Sequence, residues 1–151
     1  MQNVKIIECP RDAMQGIKSH FIPTEAKVQY INALLRVGFD TIDFGSFVSP
    51  KAIPQMRDTA DVLSKLDLSN TESKLLAIVA NVRGAKEASQ FEEINYLGYP
   101  FSISENLRKI TKTAKLIIIK KIIRIILASF LAIAPRLFVI TERLHYNKGS
   151  P

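Results

Sequence analysis

Four groups of polar side chains stand where a strand-like run of the sequence has just ended or is about to end: Arg11 with Asp12, Asp43 with Ser46, Asn81, and Ser102 with Ser104. Arg11 carries a charge that cannot be lost by deprotonation. The carboxylates of Asp12 and Asp43 offer oxygen atoms of the kind that hard divalent cations prefer. In parallel α/β folds the chemistry is placed at the carboxyl ends of the strands. Loops are polar in every protein, however, so the pattern alone is equally a surface or a site. On the bland reading Asp12 and Gln15 are loop-capping residues, Arg11 is a surface ion-pair partner, and Ser46 and Ser49 are turn residues.

The elements that would position these groups follow from apolar patterning. Val4–Glu8 (VKIIE) reads as a short buried strand, followed by a polar loop over Cys9–Ser19. Pro23-Thr24-Glu25 opens a helix in which Thr24 is the candidate N-cap and Glu25 favours the first turn. Val28, Ile31, Leu34 and Leu35 form one apolar stripe, and Gly38 is the expected stop. A second strand is expected at Thr41–Phe44, a helix from Gln55 to Leu66 and a third strand at Lys74–Ala80. A helix over Val82–Phe91 and a fourth strand at Glu93–Leu97 complete the pattern. Strands alternating with helix-length spacers call for right-handed βαβ units and a parallel sheet.

Length and charge set the outer limits. The chain of 151 residues suits one domain, well short of the ~250 residues typical of a closed (β/α)₈ barrel. One cysteine excludes an internal disulfide, and the N-terminus shows no cleavable signal, so a reducing, cytoplasmic setting is the expectation. The net charge of +7 is carried by one end. Residues 1–107 hold 11 Lys/Arg and 13 Asp/Glu, whereas residues 108–151 hold 10 Lys/Arg and a single acid, Glu142. Two segments of such different charge need separate explanations.

Two stretches carry a resemblance to the hydroxymethylglutaryl-CoA lyases. Cys9-Pro-Arg-Asp-Ala-Met-Gln15 resembles that family's Pro-Arg-Asp-x-x-Gln signature after the first strand. Ser46-Phe-Val-Ser-Pro-Lys-Ala-Ile-Pro-Gln-Met56 is similar, nearly residue for residue, to its loop after the second strand, the more specific of the two. Ile22-Pro-Thr-Glu25, Ala80-Asn-Val-Arg-Gly84 and Ser102–Glu105 fall in the family's order, so the resemblance spans residues 4–107. It implies a divalent-metal lyase that splits 3-hydroxy-3-methylglutaryl-CoA into acetoacetate and acetyl-CoA, as in leucine catabolism. By this resemblance Asp12 is a ligand of Mg²⁺ or Mn²⁺ and Arg11 stabilises the enolate. Gln15, Asp43 and Ser46, with Arg11, contact the acyl-CoA substrate. Asp43 stands where the family has glutamate, one methylene longer. Cys9 is not the family's catalytic cysteine and is expected to be a buried thiol at a strand end.

The implied fold is α/β, a partial (β/α)₈ TIM barrel of about four βα units, over residues 1–107. The segment 108–151 is expected to be a divergent apolar and basic tail, drawn as one or two helices if it is ordered. The family's later His-x-His pair, asparagine and catalytic cysteine loop have no counterpart here, since the histidines are His20 and His145. His20 is expected to face solvent. Such a metal centre usually needs about three protein ligands or a chelating substrate, so no turnover is expected from this chain alone. The tail's longest charge-free window, Ile125–Pro135, is 11 residues, against about 18–20 for a membrane span. A frame shift or truncation near residues 108–113 is the favoured explanation of the tail, and a basic anchor on an anionic membrane the competing one. Other expectations are self-association, since four strands leave open edges, and no nucleic-acid partner. The alternative functions are a related acyl-CoA condensing synthase of isopropylmalate or citramalate type, against which the second-strand loop argues, and a non-catalytic vestigial chain.

Overall fold

The computed structural model describes residues 4–102 and 136–142. The chain order is β1 (Ile7–Glu8), α1 (Pro10–Gln15), α2 (Thr24–Val37), β2 (Thr41–Ser46), a 3₁₀ turn at Pro54–Met56, α3 (Thr59–Leu63), β3 (Lys74–Ile78), α4 (Val82–Ala88), β4 (Ile94–Ser102) and β5 (Arg136–Glu142). All five strands are parallel and lie in the order β1-β2-β3-β4-β5. Each neighbouring pair up to β4 is joined by at least one helix, which is the expected βαβ alternation. β5 lies in the segment for which no strand was expected. It pairs with β4 from Tyr96↔Arg136 to Ser102↔Glu142. The remainder of the tail, with its expected helices, Ser104 and His145, is outside the described residues.

The core is the contact between sheet and helices. Ile42, Phe44, Leu75, Ala77, Val79 and Leu97 from the strand regions meet Ile31 and Leu35 from α2 and Ala85 and Ala88 from α4. Ile31 and Leu35 are buried, with Val28 and Leu34 packed half-buried beside them, as the apolar stripe requires. Every residue of β2 is buried, the normal state of a parallel strand covered on both faces. Phe47 and Phe91 add a tilted ring contact with centroids 5.6 Å apart. Gly38 ends α2 at φ +83°, a left-handed conformation that a Cβ would oppose.

Several local expectations are corrected. The strand at Val4–Glu8 contracts to Ile7–Glu8 and is not buried: Val4 is 88% and Ile6 58% exposed. Among the described residues β1 is the outer strand of the sheet, with β2 as its one partner. The loop Cys9–Ser19 contains a helix, because Pro10 supplies a preset φ at the first helical position, where a missing N–H costs nothing. Thr24 does not cap α2; Pro23 occupies that position, and the Thr24 hydroxyl donates to Asp58 Oδ2 at 2.7 Å. The helix expected over Gln55–Leu66 divides into the 3₁₀ turn and α3. At the break the Thr59 hydroxyl bonds the backbone of Ser46 and Met56, drawing the chain toward β2. Asn81 closes β3 as a helix cap, accepting from Gly84 N at 2.9 Å.

One buried polar atom is left over. The Tyr99 hydroxyl has no hydrogen-bond partner among the described residues although Tyr99 is 1% exposed. Burial pushes its pKa up. An unsatisfied buried hydroxyl costs about 1–3 kcal/mol, so Tyr99→Phe leaves stability unchanged or raises it. A urea midpoint that falls by more than the experimental error contradicts this.

Candidate active site

The proline that starts α1 also sets the site. The helix that it opens places Arg11 and Gln15 one turn apart on the same face. Arg11 Nη1 donates to Gln15 Oε1 at 2.9 Å, and Gln15 Nε2 donates to Asp12 Oδ1 at 2.6 Å. Arg11 Nη1 also reaches Asp12 Oδ1 at 3.4 Å. Across to β2, Arg11 Nε lies 3.0 Å from both carboxylate oxygens of Asp43, and Nη2 donates to Asp43 Oδ2 at 2.7 Å. The four residues Arg11, Asp12, Gln15 and Asp43 therefore form one hydrogen-bonded cluster at the end of β1 and within β2.

Exposure divides the cluster. Asp43 and Arg11 are largely enclosed, with side chains 3% and 13% exposed, while that of Asp12 is 66% exposed. Burial raises the pKa of Asp43, Arg11's hydrogen bonds and charge oppose the rise, and the negative charge of Asp12 adds to it; the net direction is up. Burial works against the charge of Arg11, but hydrogen bonds and charge from Asp43, with Asp12, outweigh it and hold its pKa above the ordinary value. A guanidinium has five N–H donors. With one on Nε, one on Nη2 and two on Nη1 directed at Asp43, Gln15 and Asp12, one Nη2 hydrogen has no acceptor among the described residues.

The raised pKa of Asp43 fixes a sign for pH dependence. Between its ordinary value of 3.8 and its raised folded value, the folded state holds the proton that the unfolded chain has lost. Stability attributable to Asp43 therefore falls as pH rises through that window. Arg11→Gln removes the groups that hold the pKa down and extends the window upward. The variant's deficit in urea midpoint is smallest at acid pH and grows toward neutrality. A deficit that is constant between about pH 3 and 7 contradicts the coupling.

Ser46 belongs to a different set of bonds. Its hydroxyl lies 3.3 Å from Ile78 O and accepts from Val48 N at 3.3 Å, and it is buried. It fastens β2 to β3 and starts the following loop; its bonds do not include Arg11, Asp12 or Gln15. Cys9 is exposed, not a buried thiol, because it lies beside the exposed strand β1. Its pKa is raised by desolvation and by Asp43, against the lowering effect of Arg11. His20 is exposed, with Nδ1 2.9 Å from Ser19 Oγ.

The described residues do not fit a metal centre. Among them no three His, Cys, Asp or Glu side chains stand close enough to share an ion. Asp43 has both oxygens engaged by Arg11, which leaves Asp12 as one accessible carboxylate. Among the described residues no helix is long and apolar enough to cross a membrane.

Two features were missed in the sequence. One is the buried pair of Lys27 and Asp58, with Nζ 2.6 Å from Oδ1, and the other is the Gln55 side chain beside it. The signal for Lys27 was present: it lies one turn before Ile31 and two before Leu35, on the face that α2 buries. A cleft of about 300 Å³ opens next to Gln15, lined also by Lys18, His20, Phe21, Gln55 and Arg57.

Comparison with known proteins gives one consistent answer. No family model matches the chain. A mitochondrial hydroxymethylglutaryl-CoA lyase of Mus musculus is 37% identical over 107 residues, covering 64% of this chain and 32% of that protein. A hydroxymethylglutaryl-CoA lyase of Bacillus subtilis (strain 168) is 40% identical over 79 residues, covering 52% and 26%. The crystal structure of the Bacillus subtilis HMG-CoA lyase superimposes with a TM-score of 0.76 at 33% identity, over 90% of this chain and 46% of that one. An HMG-CoA lyase from Acinetobacter baumannii, solved with coenzyme A and 3-methylmalate, gives 0.73 at 28% identity, over 89% and 44%. The chain thus spans about a third or less of the curated relatives and under half of the structural ones. Its parallel sheet with helices is similar in structure to the TIM barrels of these lyases. Over the part compared, hydroxymethylglutaryl-CoA lyases are homologues of this chain.

Proposed function

We propose that the chain carries the arginine–aspartate portion of a hydroxymethylglutaryl-CoA lyase site, and that it does not turn over by itself. The reaction is a retro-Claisen cleavage. The tertiary hydroxyl of 3-hydroxy-3-methylglutaryl-CoA loses its proton as the adjacent C–C bond breaks. The electron pair of that bond moves onto the thioester as an enolate, which is then protonated to acetyl-CoA while acetoacetate leaves. The observation that supports this reading is the cluster of Arg11, Asp12, Gln15 and Asp43 at the end of β1 and within β2. Arg11 is pinned by Asp43 and Gln15 and keeps one Nη2 hydrogen for an enolate oxygen, a fixed charge where negative charge develops. Asp43, one methylene shorter than glutamate, acts on the substrate through Arg11. Ser46 shapes the neighbouring loop. Asp12 offers one oxygen to Mg²⁺ or Mn²⁺, which prefer several.

Calorimetric titration with 3-hydroxy-3-methylglutaryl-CoA tests the reading. The 151-residue chain binds the thioester, and Arg11→Gln weakens binding by about ten- to a hundredfold, the loss of one charged hydrogen bond. Acetoacetate is not released. Equal affinities for the two proteins, or no affinity in either, remove the lyase reading and leave a non-catalytic chain. Release of acetoacetate removes the claim of inactivity. On this reading the chain belongs with leucine breakdown. The exposed Val4 and Ile6 beside β1, the outer strand among the described residues, support self-association, which sedimentation measures directly; a strictly monomeric species contradicts it.

A further inference from the structure

Helix α1 is six residues long and receives no side-chain cap from Cys9. Fewer than two turns of helix are not stable by themselves, yet this segment must hold Arg11 and Gln15 in register with Asp43 on β2. The next segment is gripped from outside. Gln55, 4% exposed, uses its whole side-chain amide on the backbone of residues 17–22. Nε2 donates to Ile17 O at 2.8 Å and to His20 O, and Oε1 accepts from Ile22 N at 3.1 Å. Both amide hydrogens and the carbonyl are thus engaged, and turning the amide over would set Oε1 against two carbonyl oxygens. Gln55 is held in turn from its own backbone, where its carbonyl accepts from the buried Lys27 Nζ. Phe21, in the gripped segment, has Lys27 Nζ 4.1 Å and the Arg57 guanidinium 3.8 Å from its ring centroid.

We propose that Gln55 is a positioning residue: by clamping residues 17–22 immediately after α1, it fixes the roll of that helix and so the direction in which Arg11 and Gln15 point. The link is short. Ile17, whose carbonyl Gln55 holds, is two residues beyond Gln15, and its N–H bonds Met14 O in the last turn of α1. No side-chain hydrogen bond of Gln55 goes to the cluster's charges. It acts through the backbone, which separates it from a group that contacts ligand. The proposal rests on the lyase reading only in taking Arg11 and Gln15 as the groups that meet substrate; the clamp on Arg11 stands or falls separately.

Gln55→Glu keeps the side-chain shape but replaces two donors by an acceptor facing Ile17 O and His20 O, and Gln55→Met keeps the length with no bonds. Ser73→Ala is the comparison, because the Ser73 hydroxyl bonds Phe39 O, away from α1. The measurement is the exchange of the Arg11 Nε–H with water by NMR, together with the affinity for 3-hydroxy-3-methylglutaryl-CoA. Exchange at Arg11 is expected to speed up by about tenfold or more in both Gln55 variants, the weight of one lost hydrogen bond, and to stay at the wild-type rate in Ser73→Ala. Thioester affinity falls with it. Unchanged exchange in Gln55→Met, or an equal increase in Ser73→Ala, overturns the proposal. Faster exchange confined to the Gln55 variants, with no thioester bound by any protein, upholds the clamp and overturns the lyase reading instead.

Discussion

Lys27→Met is expected to lower the free energy of unfolding by about 3–5 kcal/mol, the usual result of leaving one member of a buried ion pair without its partner. Lys27 is 2% exposed, and its ammonium is held by Asp58 Oδ1 and Gln55 O. Methionine fills the stem's place but supplies no positive charge, and Asp58 retains one donor, the Thr24 hydroxyl. A loss of this size approaches the whole stability of a small domain, about 5–15 kcal/mol. The diagnostic comparison is Lys27→Met combined with Asp58→Asn. If the cost is the orphaned carboxylate, the double variant is more stable than Lys27→Met alone, since replacing both charges is often close to neutral. Urea unfolding of the three proteins decides it. A double variant that is less stable than the single one shows that the cost lies in packing.

Gly84→Ala is expected to destabilise by about 3 kcal/mol, at the upper end for overpacking by one methyl group. A Cβ built at Gly84 lies 2.2 Å from Phe47 O. The obstacle is backbone and cannot turn aside like a side chain. Gly84 sits in the first turn of α4, against the Asn81 cap, and Phe47 N donates to Ile78 O at the end of β3. The residue after β2 and the start of α4 are therefore fixed to the same strand ends, and neither can retreat without giving up bonds. Circular dichroism with urea unfolding measures the loss. A Gly84→Ala protein as stable as wild type would show that this approach is looser than described.

The sequence picked out the members of the cluster better than it located the helix that builds it. Arg11, Asp12, Gln15 and Asp43 were singled out, and they converge, because β1 ends with Glu8 opposite Ile42 and the helix after it therefore begins level with Asp43. Helix α1 was invisible to patterning, since in Pro10–Gln15 Met14 is the one large apolar residue, and six residues cannot show a period. Ser46 was grouped with the others as a polar residue at the end of a strand and by the resemblance of its loop to the lyases. In the fold its hydroxyl serves the β2–β3 junction.

What the amino-acid sequence determined by itself was the parallel α/β order, the buried face of α2, its stop at Gly38, and the two loops that resemble the lyases. Each of these is a local property: a periodicity, a glycine at positive φ, or a short string of residues. Tertiary structure alone decided that Lys27 pairs with Asp58, that Thr24 serves Asp58 and not its own helix, and that Gln55 holds a segment more than thirty positions away in the chain. Arg11's partnership with Asp43 was decided there too. The physical reason is common to all four: a polar group is worth burying only beside a partner, and the partner is chosen by how the layers pack, which no window of neighbouring residues contains.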